Sequence, residues 1–223
     1  MKILITGTQS QRKELISTLP NALDFEESEL VEGKNLEQYD CIFDLNIDNT
    51  PEMIAHYSSL ENGLLILGAV KHSLLEFKNE GSLNEKLSLV GLNTLNGFIN
   101  RSLKELSFVN ESSKKAFGNF NDSLSWDFQT VEDRVGMVSP RVILMIINEA
   151  CYTLQEGTAK ISAIDQAMKL GTNYPKGPFE WADEIGVKDV YLTLKAVFED
   201  TGDERYKICP LLKQYFLAGK NFY

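Results

Sequence analysis

The sequence predicts a mostly parallel α/β layer followed by an all-helical domain. Two observations in the first half point to the layer. Short apolar runs bounded by turn residues recur there, and segments of helical spacing lie between several of them. Leu64–Leu67 is the clearest run, unbroken in the way expected of a parallel strand covered on both faces. Strand–helix alternation of this kind builds an α/β layer. A third observation sets off the second half, which carries no strand pattern and is punctuated by helix starts and stops. The boundary falls near Asp133, giving domains 1–132 and 133–223.

Taken in order, Ile3–Ile5 is a strand, and Gly7 follows it. Helical spacing runs from Gln11 to Leu19 and stops at Pro20. Leu23–Phe25 is a candidate second strand, and the acidic run Glu26–Glu29 reads as a solvated face. Cys41–Leu45 is a strand, Pro51–Leu60 a helix with Thr50 as N-cap, and Leu74–Phe77 a short helix. Leu87–Val90 and Leu103–Val109 are further strands. Ser112–Phe117 is helical, and Ser123–Phe128 alternates like an edge strand.

Composition narrows the partners. The net charge of −10 over 223 residues argues against nucleic acid and against an anionic membrane. No apolar run approaches membrane-spanning length. Met1-Lys2 leads straight into a strand, with no signal peptide. Cys41, Cys151 and Cys209 are scattered without metal-ligand spacing, so no metal is expected and the thiols read as reduced. A cytoplasmic protein is the expectation.

The helical half is more sharply marked. Ser139 is a candidate N-cap, Pro140 suits the first turn, and Gly157 is a candidate left-handed stop. Val142–Ile147 is apolar without a break, so that helix must be covered on every side. Ser162 and Asp165 fit an acidic capping box, with Gly171 closing the helix. Asn173–Pro178 is a turn leading into Phe179–Ile185, which ends at Gly186.

This order of residues resembles the C-terminal domain of the 3-hydroxyacyl-CoA dehydrogenases, of which the 3-hydroxybutyryl-CoA dehydrogenases are members. The matching segments are Asn148–Ala150, Glu156-Gly157, Ile164–Met168, Gly171–Pro178, Ala182–Gly186, Gly202–Tyr206 and Pro210–Leu212. The resemblance is specific over Val135–Leu217. It implies an NAD-binding Rossmann-like domain, here shortened and degenerate, followed by an all-α domain that dimerises.

The opening strand and Gly7 occupy the place of the dinucleotide glycine fingerprint, whose three glycines make the turn, admit the pyrophosphate and let helix pack on strand. Aligned from Gly7, the second and third positions are Gln9 and Arg12. Arg12 reads either as a phosphate neutraliser or as part of a solvated helix face. Asp24 or Glu26 matches the acidic residue that holds the adenine ribose. NAD is the cofactor that the resemblance implies, and the damaged loop predicts that it does not bind.

The resemblance also implies a catalytic histidine after a strand, with a glutamate twelve residues on. Here those positions are Asn93 and Glu105. An asparagine cannot accept a proton, though its amide donates hydrogen bonds. Glu105 reads equally as a remnant of the site and as a polar-face strand residue. The family's substrate-binding asparagine falls at Pro140, and its Asn-Thr-Ser-Ser loop at Val70–Ser73, where Ser73 matches. His72 reads as a loop histidine without a catalytic partner, or as a displaced base. The resulting expectation is an inactive homologue of an NAD-dependent enzyme of fatty-acid metabolism. It would act as a homodimeric binding or partner protein through its helical domain, with an acyl-CoA-like small molecule as candidate ligand. The alternatives are an active oxidoreductase with altered site residues and a partner of an intact paralogue.

Overall fold

In the computed structural model, which describes Met1–Tyr223, the apolar runs of the first half become the strands of one sheet. The chain divides into two units, Met1–Met137 and Val138–Tyr223. The first contains β1 (Ile3–Thr6), α1 (Gln9–Ile16), β2 (Phe25–Ser28), β3 (Cys41–Asp44), β4 (Gly63–Gly68), α2 (Leu74–Glu80), β5 (Leu87–Leu92), β6 (Leu103–Phe108), α3 (Glu111–Leu124) and β7 (Asp127–Thr130).

The strand order is β2-β1-β3-β4-β5-β6-β7. The first five strands are parallel, β6 runs antiparallel to β5, and β7 is parallel to β6. Alternating side chains explain the unbroken apolar runs. Ile3, Ile5, Phe43, Ile66 and Val90 enter one buried cluster, with Phe117 of α3 and Trp126. Leu4, Ile42, Leu65 and Leu67 enter another, with Leu74 and Phe77 of α2. Both faces of the sheet are therefore core. The chain leaves β1 toward β2 on one side and resumes at β3 on the other. That reversal opens a crevice at the carboxyl ends of β1 and β3, the place where open α/β sheets bind ligands. Only a short 3₁₀ turn, Leu36–Gln38, lies between β2 and β3, so the sheet is joined there without a helix.

Several local expectations change. The second strand is Phe25–Ser28, so part of the acidic run lies in the sheet. Glu26 accepts from Lys34 Nζ and from Tyr39 Oη, each at 2.6 Å. Pro51–Tyr57 is a 3₁₀ stretch, and Thr50 makes no side-chain cap bond. The tighter winding aligns residues three apart, which puts Ile54 and Tyr57 together in the core. The third helix is longer than its spacing suggests. Asn110 caps it by accepting from Ser113 N at 2.8 Å, and it runs through Ser123 and Leu124. The edge strand therefore begins only at Asp127.

The second unit is five helices: α4 (Ser139–Gln155), α5 (Ile161–Gly171), α6 (Pro178–Ile185), α7 (Val187–Thr201) and α8 (Pro210–Ala218). Its core joins Leu144, Ile147 and Cys151 of α4 to Phe179, Ala182, Val190, Leu194 and Leu212. The start of α4 is shifted by one residue, with Val138 at the cap position and Ser139 inside the helix. Its end is as expected. Gly157 adopts φ +73°, and the bonds Gly157 N to Leu154 O and Thr158 N to Thr153 O close a Schellman motif.

Asp165 is not part of a capping box with Ser162. It lies mid-helix in α5, buried, and its carboxylate accepts from Phe179 N (2.8 Å) and Glu180 N (3.2 Å) at the start of α6. The hydroxyl of Tyr223 donates to the same carboxylate at 2.9 Å. A carboxylate can remain buried when N–H and O–H donors satisfy it in this way.

Candidate functional site

The loop from β1 into α1 is held by its own side chains. Gly7 has φ +136°, a conformation that L side chains rarely adopt. Thr8 caps α1 by accepting from Gln11 N (3.3 Å), while Gln11 Oε1 accepts from Thr8 N and Oγ1, each at 3.0 Å. This is a capping box, and it uses amides that a helix start otherwise presents to an anion. Gln9 is exposed as the first residue of the helix.

Arg12 is half-buried rather than solvated. Its guanidinium donates to Gly7 O, to Ser28 O (3.2 Å) and to Glu27 Oε2 (3.1 Å), tying the loop to β2. Asp24 is exposed just before β2, and its carbonyl takes the Ile3 N–H at 3.3 Å.

Gln11 was not singled out by sequence, although the Thr8–Gln11 spacing carries the capping-box signal. Its side chain is buried over the carboxyl ends of the strands. Nε2 donates to Leu45 O (2.8 Å) after β3 and to Thr94 O (3.3 Å) after β5.

Asn93 follows β5 directly. The β5–β6 ladder pairs Leu92 with Leu106, which places Asn93 opposite Glu105. Asn93 Nδ2 lies 3.4 Å from Glu105 Oε2, and Asn93 Oδ1 accepts from Leu95 N at 3.3 Å. The sequence pair is thus brought together in space. It joins an amide donor to a carboxylate acceptor, and the amide nitrogen offers no basic lone pair. Lys104, next to Glu105, is buried and donates to Ile99 O (2.5 Å) and Arg101 O (2.6 Å). Burial holds its ammonium down to about 8.

The loop after β4 has a different occupant from the one expected. Ser73 caps α2 in a box with Glu76, accepting from Glu76 N at 3.2 Å and donating to Glu76 Oε2 at 2.9 Å. His72 does have a carboxylate partner. Asp48, buried in the turn after β3, accepts from the backbone N–H groups of Val70 (2.6 Å), Lys71 (3.0 Å) and His72 (3.2 Å). His72 Nδ1 lies 3.2 Å from Asp48 Oδ1, and its ring rests 5.1 Å from that of Phe77. The hydrogen bond to Asp48 raises the imidazole pKa against the opposing effect of burial. Asp48 is 24 residues from His72 in sequence, and no motif announces the pair.

Pro140 lies in the second unit, buried in the first turn of α4, where its missing N–H costs nothing. It offers no side-chain hydrogen bond. No group of three or more His, Cys, Asp or Glu side chains is arranged to hold a metal ion. No helix is long and apolar enough to cross a membrane.

Comparison with known proteins places the second unit in a family. The 3-hydroxyacyl-CoA dehydrogenase C-terminal domain matches residues 136–222. The chain is 47% identical over 89 residues to the probable 3-hydroxybutyryl-CoA dehydrogenase of Bacillus subtilis, covering 40% of this chain and 31% of that one. It is 25% identical over 217 residues to 3-hydroxybutyryl-CoA dehydrogenase of Clostridioides difficile, covering 96% of this chain and 74% of that one. Residues 136–222 belong to the 3-hydroxyacyl-CoA dehydrogenase C-terminal domain family. The chain's high-identity match spans about a third of the length of the first curated relatives. The fold agrees across the whole chain. The crystal structure of (S)-3-hydroxybutyryl-CoA dehydrogenase from Ralstonia eutropha superposes with TM-score 0.75 at 18% identity, covering 100% of this chain and 98% of that one. The first unit has a Rossmann fold with a seven-stranded sheet, and the second is the helical domain that the family model matches.

Proposed function

We propose that this chain is a non-catalytic homologue of the NAD-dependent 3-hydroxyacyl-CoA dehydrogenases that acts as a homodimeric binding or partner protein. The observation that carries the proposal is the pair Asn93–Glu105. The carboxylate that would orient a base faces an amide at 3.4 Å, and an amide cannot take the proton of a substrate hydroxyl. The cofactor loop supports the same reading. Gln9 stands where backbone should be bare, the backbone amides of Thr8 and Gln11 are engaged in the capping box, and Arg12 donates to the loop and to Glu27. These residues do not fit a dinucleotide pyrophosphate.

Dimerisation is supported by the helical unit. Ile146 and Ala150 of α4, Ala163, Ala167 and Met168 of α5, and Pro178 line an open, almost wholly apolar groove of about 390 Å³. Ala163 and Ala167 are exposed on it, and such a face in a soluble chain marks a contact surface. An acyl-CoA-like small molecule remains the candidate ligand. Three free, buried thiols support a reducing, cytoplasmic setting.

A calorimetric titration of the unmodified protein with NAD and NADH tests the reading. No binding heat is expected, and micromolar affinity would overturn it. One observation favours a second reading, an active oxidoreductase with altered residues. His72 oriented by Asp48 has the arrangement of a base held by a carboxylate. On that reading His72→Ala abolishes a measurable acetoacetyl-CoA reduction.

A further inference from the structure

The loop Asn93–Gly97 lies folded over the strand ends, and two side chains of α1 hold it there. Gln11 Nε2 bridges Leu45 O and Thr94 O. Glu14, one turn further along α1, accepts from Gly97 N with both carboxylate oxygens, at 3.1 and 3.2 Å. The fit beneath is close. A Cβ added at Gly68, the last residue of β4, would lie 2.4 Å from Thr94 Oγ1 and 2.8 Å from Leu45 O. Asn93, Thr94 and Leu95 are all buried.

We propose that Gln11 and Glu14 form a latch that holds the loop Asn93–Gly97 as a built-in occupant of the dinucleotide crevice. This rests on the reading that the unmodified chain takes no dinucleotide, and it gives that reading a cause. The crevice is closed by groups of the chain itself, in addition to lacking bare glycine backbone. Gln11 places a primary carboxamide at the meeting point of β1, β3 and the β5 loop, the same hydrogen-bonding group that a nicotinamide ring carries. Its donor is taken by Leu45 and Thr94 and its acceptor by Thr8. An incoming carboxamide would have to displace it. The latch is specific to the ligand end of the sheet. The acidic edge at β2 is secured separately by Arg12, which donates to Glu27 Oε2.

The test uses the full chain carrying Gln11→Ala and Glu14→Ala together, titrated with NADH beside the unmodified protein. The unmodified protein is expected to give no heat, and the double variant to bind with a dissociation constant below about 1 mM. A folded double variant that shows no binding at millimolar NADH overturns the latch while leaving the absence of binding in the parent intact. Binding by the parent itself overturns the reading beneath it instead. If the double variant does not fold, Gln11→Met keeps the volume and removes the hydrogen bonds. Amide hydrogen exchange over Thr94–Gly97 is then expected to speed up about tenfold or more, and unchanged exchange contradicts the proposal.

Discussion

Gly177 and Asp165 are in such close approach that a Cβ on Gly177 would stand 2.2 Å from the Asp165 carboxyl carbon. Gly177 precedes α6, whose first amides donate to that carboxylate. Any side chain at 177 must push the carboxylate away from its donors or spread α5 from α6. Gly177→Ala is therefore expected to lower stability by about 3 kcal/mol in urea unfolding, combining overpacking with loss of buried hydrogen bonds. Gly118→Ala is the control. It sits inside α3 with open space around its Cβ position, so it should stabilise by about 0.5–1 kcal/mol.

The His72–Asp48 pair makes stability depend on pH in a defined direction. The folded pKa of His72 is raised, with its bond to Asp48 the largest cause. Its contribution is thus fully present below the unfolded value of about 6.5 and is lost as pH rises through the folded value. Unfolding free energies of the parent and His72→Ala should differ more at pH 5.5 than at pH 8.5. A gap that is equal at both pH values would show that the imidazole and carboxylate do not interact as drawn.

Much of the fold was legible because it is written locally. The unbroken apolar run Leu64–Leu67 marked β4, shorter apolar segments marked β3 and β5, and Gly157 marked the end of α4 by its conformation. The errors arose where partners are remote. Asp165 has the spacing of a capping box with Ser162, yet its donors lie 14 and 15 residues away, so burial decides its role. The extent of α3 was hidden because Gly118, Asn119 and Asn121 are weak helix formers that tertiary packing overrides. At the site, the spacing of Asn93 and Glu105 foretold their meeting across an antiparallel ladder. Gln11 and Asp48 could not be found in the same way. Their bonds span 34, 83 and 22 residues, and only the assembled sheet brings them to the strand ends.

The apolar groove of the helical unit predicts the assembly state. Light scattering at micromolar concentration should give twice the chain mass of 25.1 kDa. Ala167 is exposed on the groove, so Ala167→Glu adds a charge there without entering the core. That variant should remain folded and run as a monomer. A parent protein that is monomeric at these concentrations contradicts the proposed dimer.

Replacing the missing base should not by itself create an enzyme. Asn93→His puts an imidazole opposite Glu105, and general-base catalysis supplies about 10²–10⁴-fold. The cofactor loop remains engaged by Thr8, Gln11 and Arg12. Acetoacetyl-CoA reduction by Asn93→His is therefore expected to stay at background, measured as NADH absorbance over time.

The most direct measurement is turnover by the unmodified protein. Purified chain at micromolar concentration is mixed with NADH and acetoacetyl-CoA, and NADH consumption is followed against a heat-killed control. With an amide rather than a basic nitrogen facing Glu105 at position 93, the two traces should coincide. Consumption above the control that scales with protein concentration would contradict the non-catalytic reading.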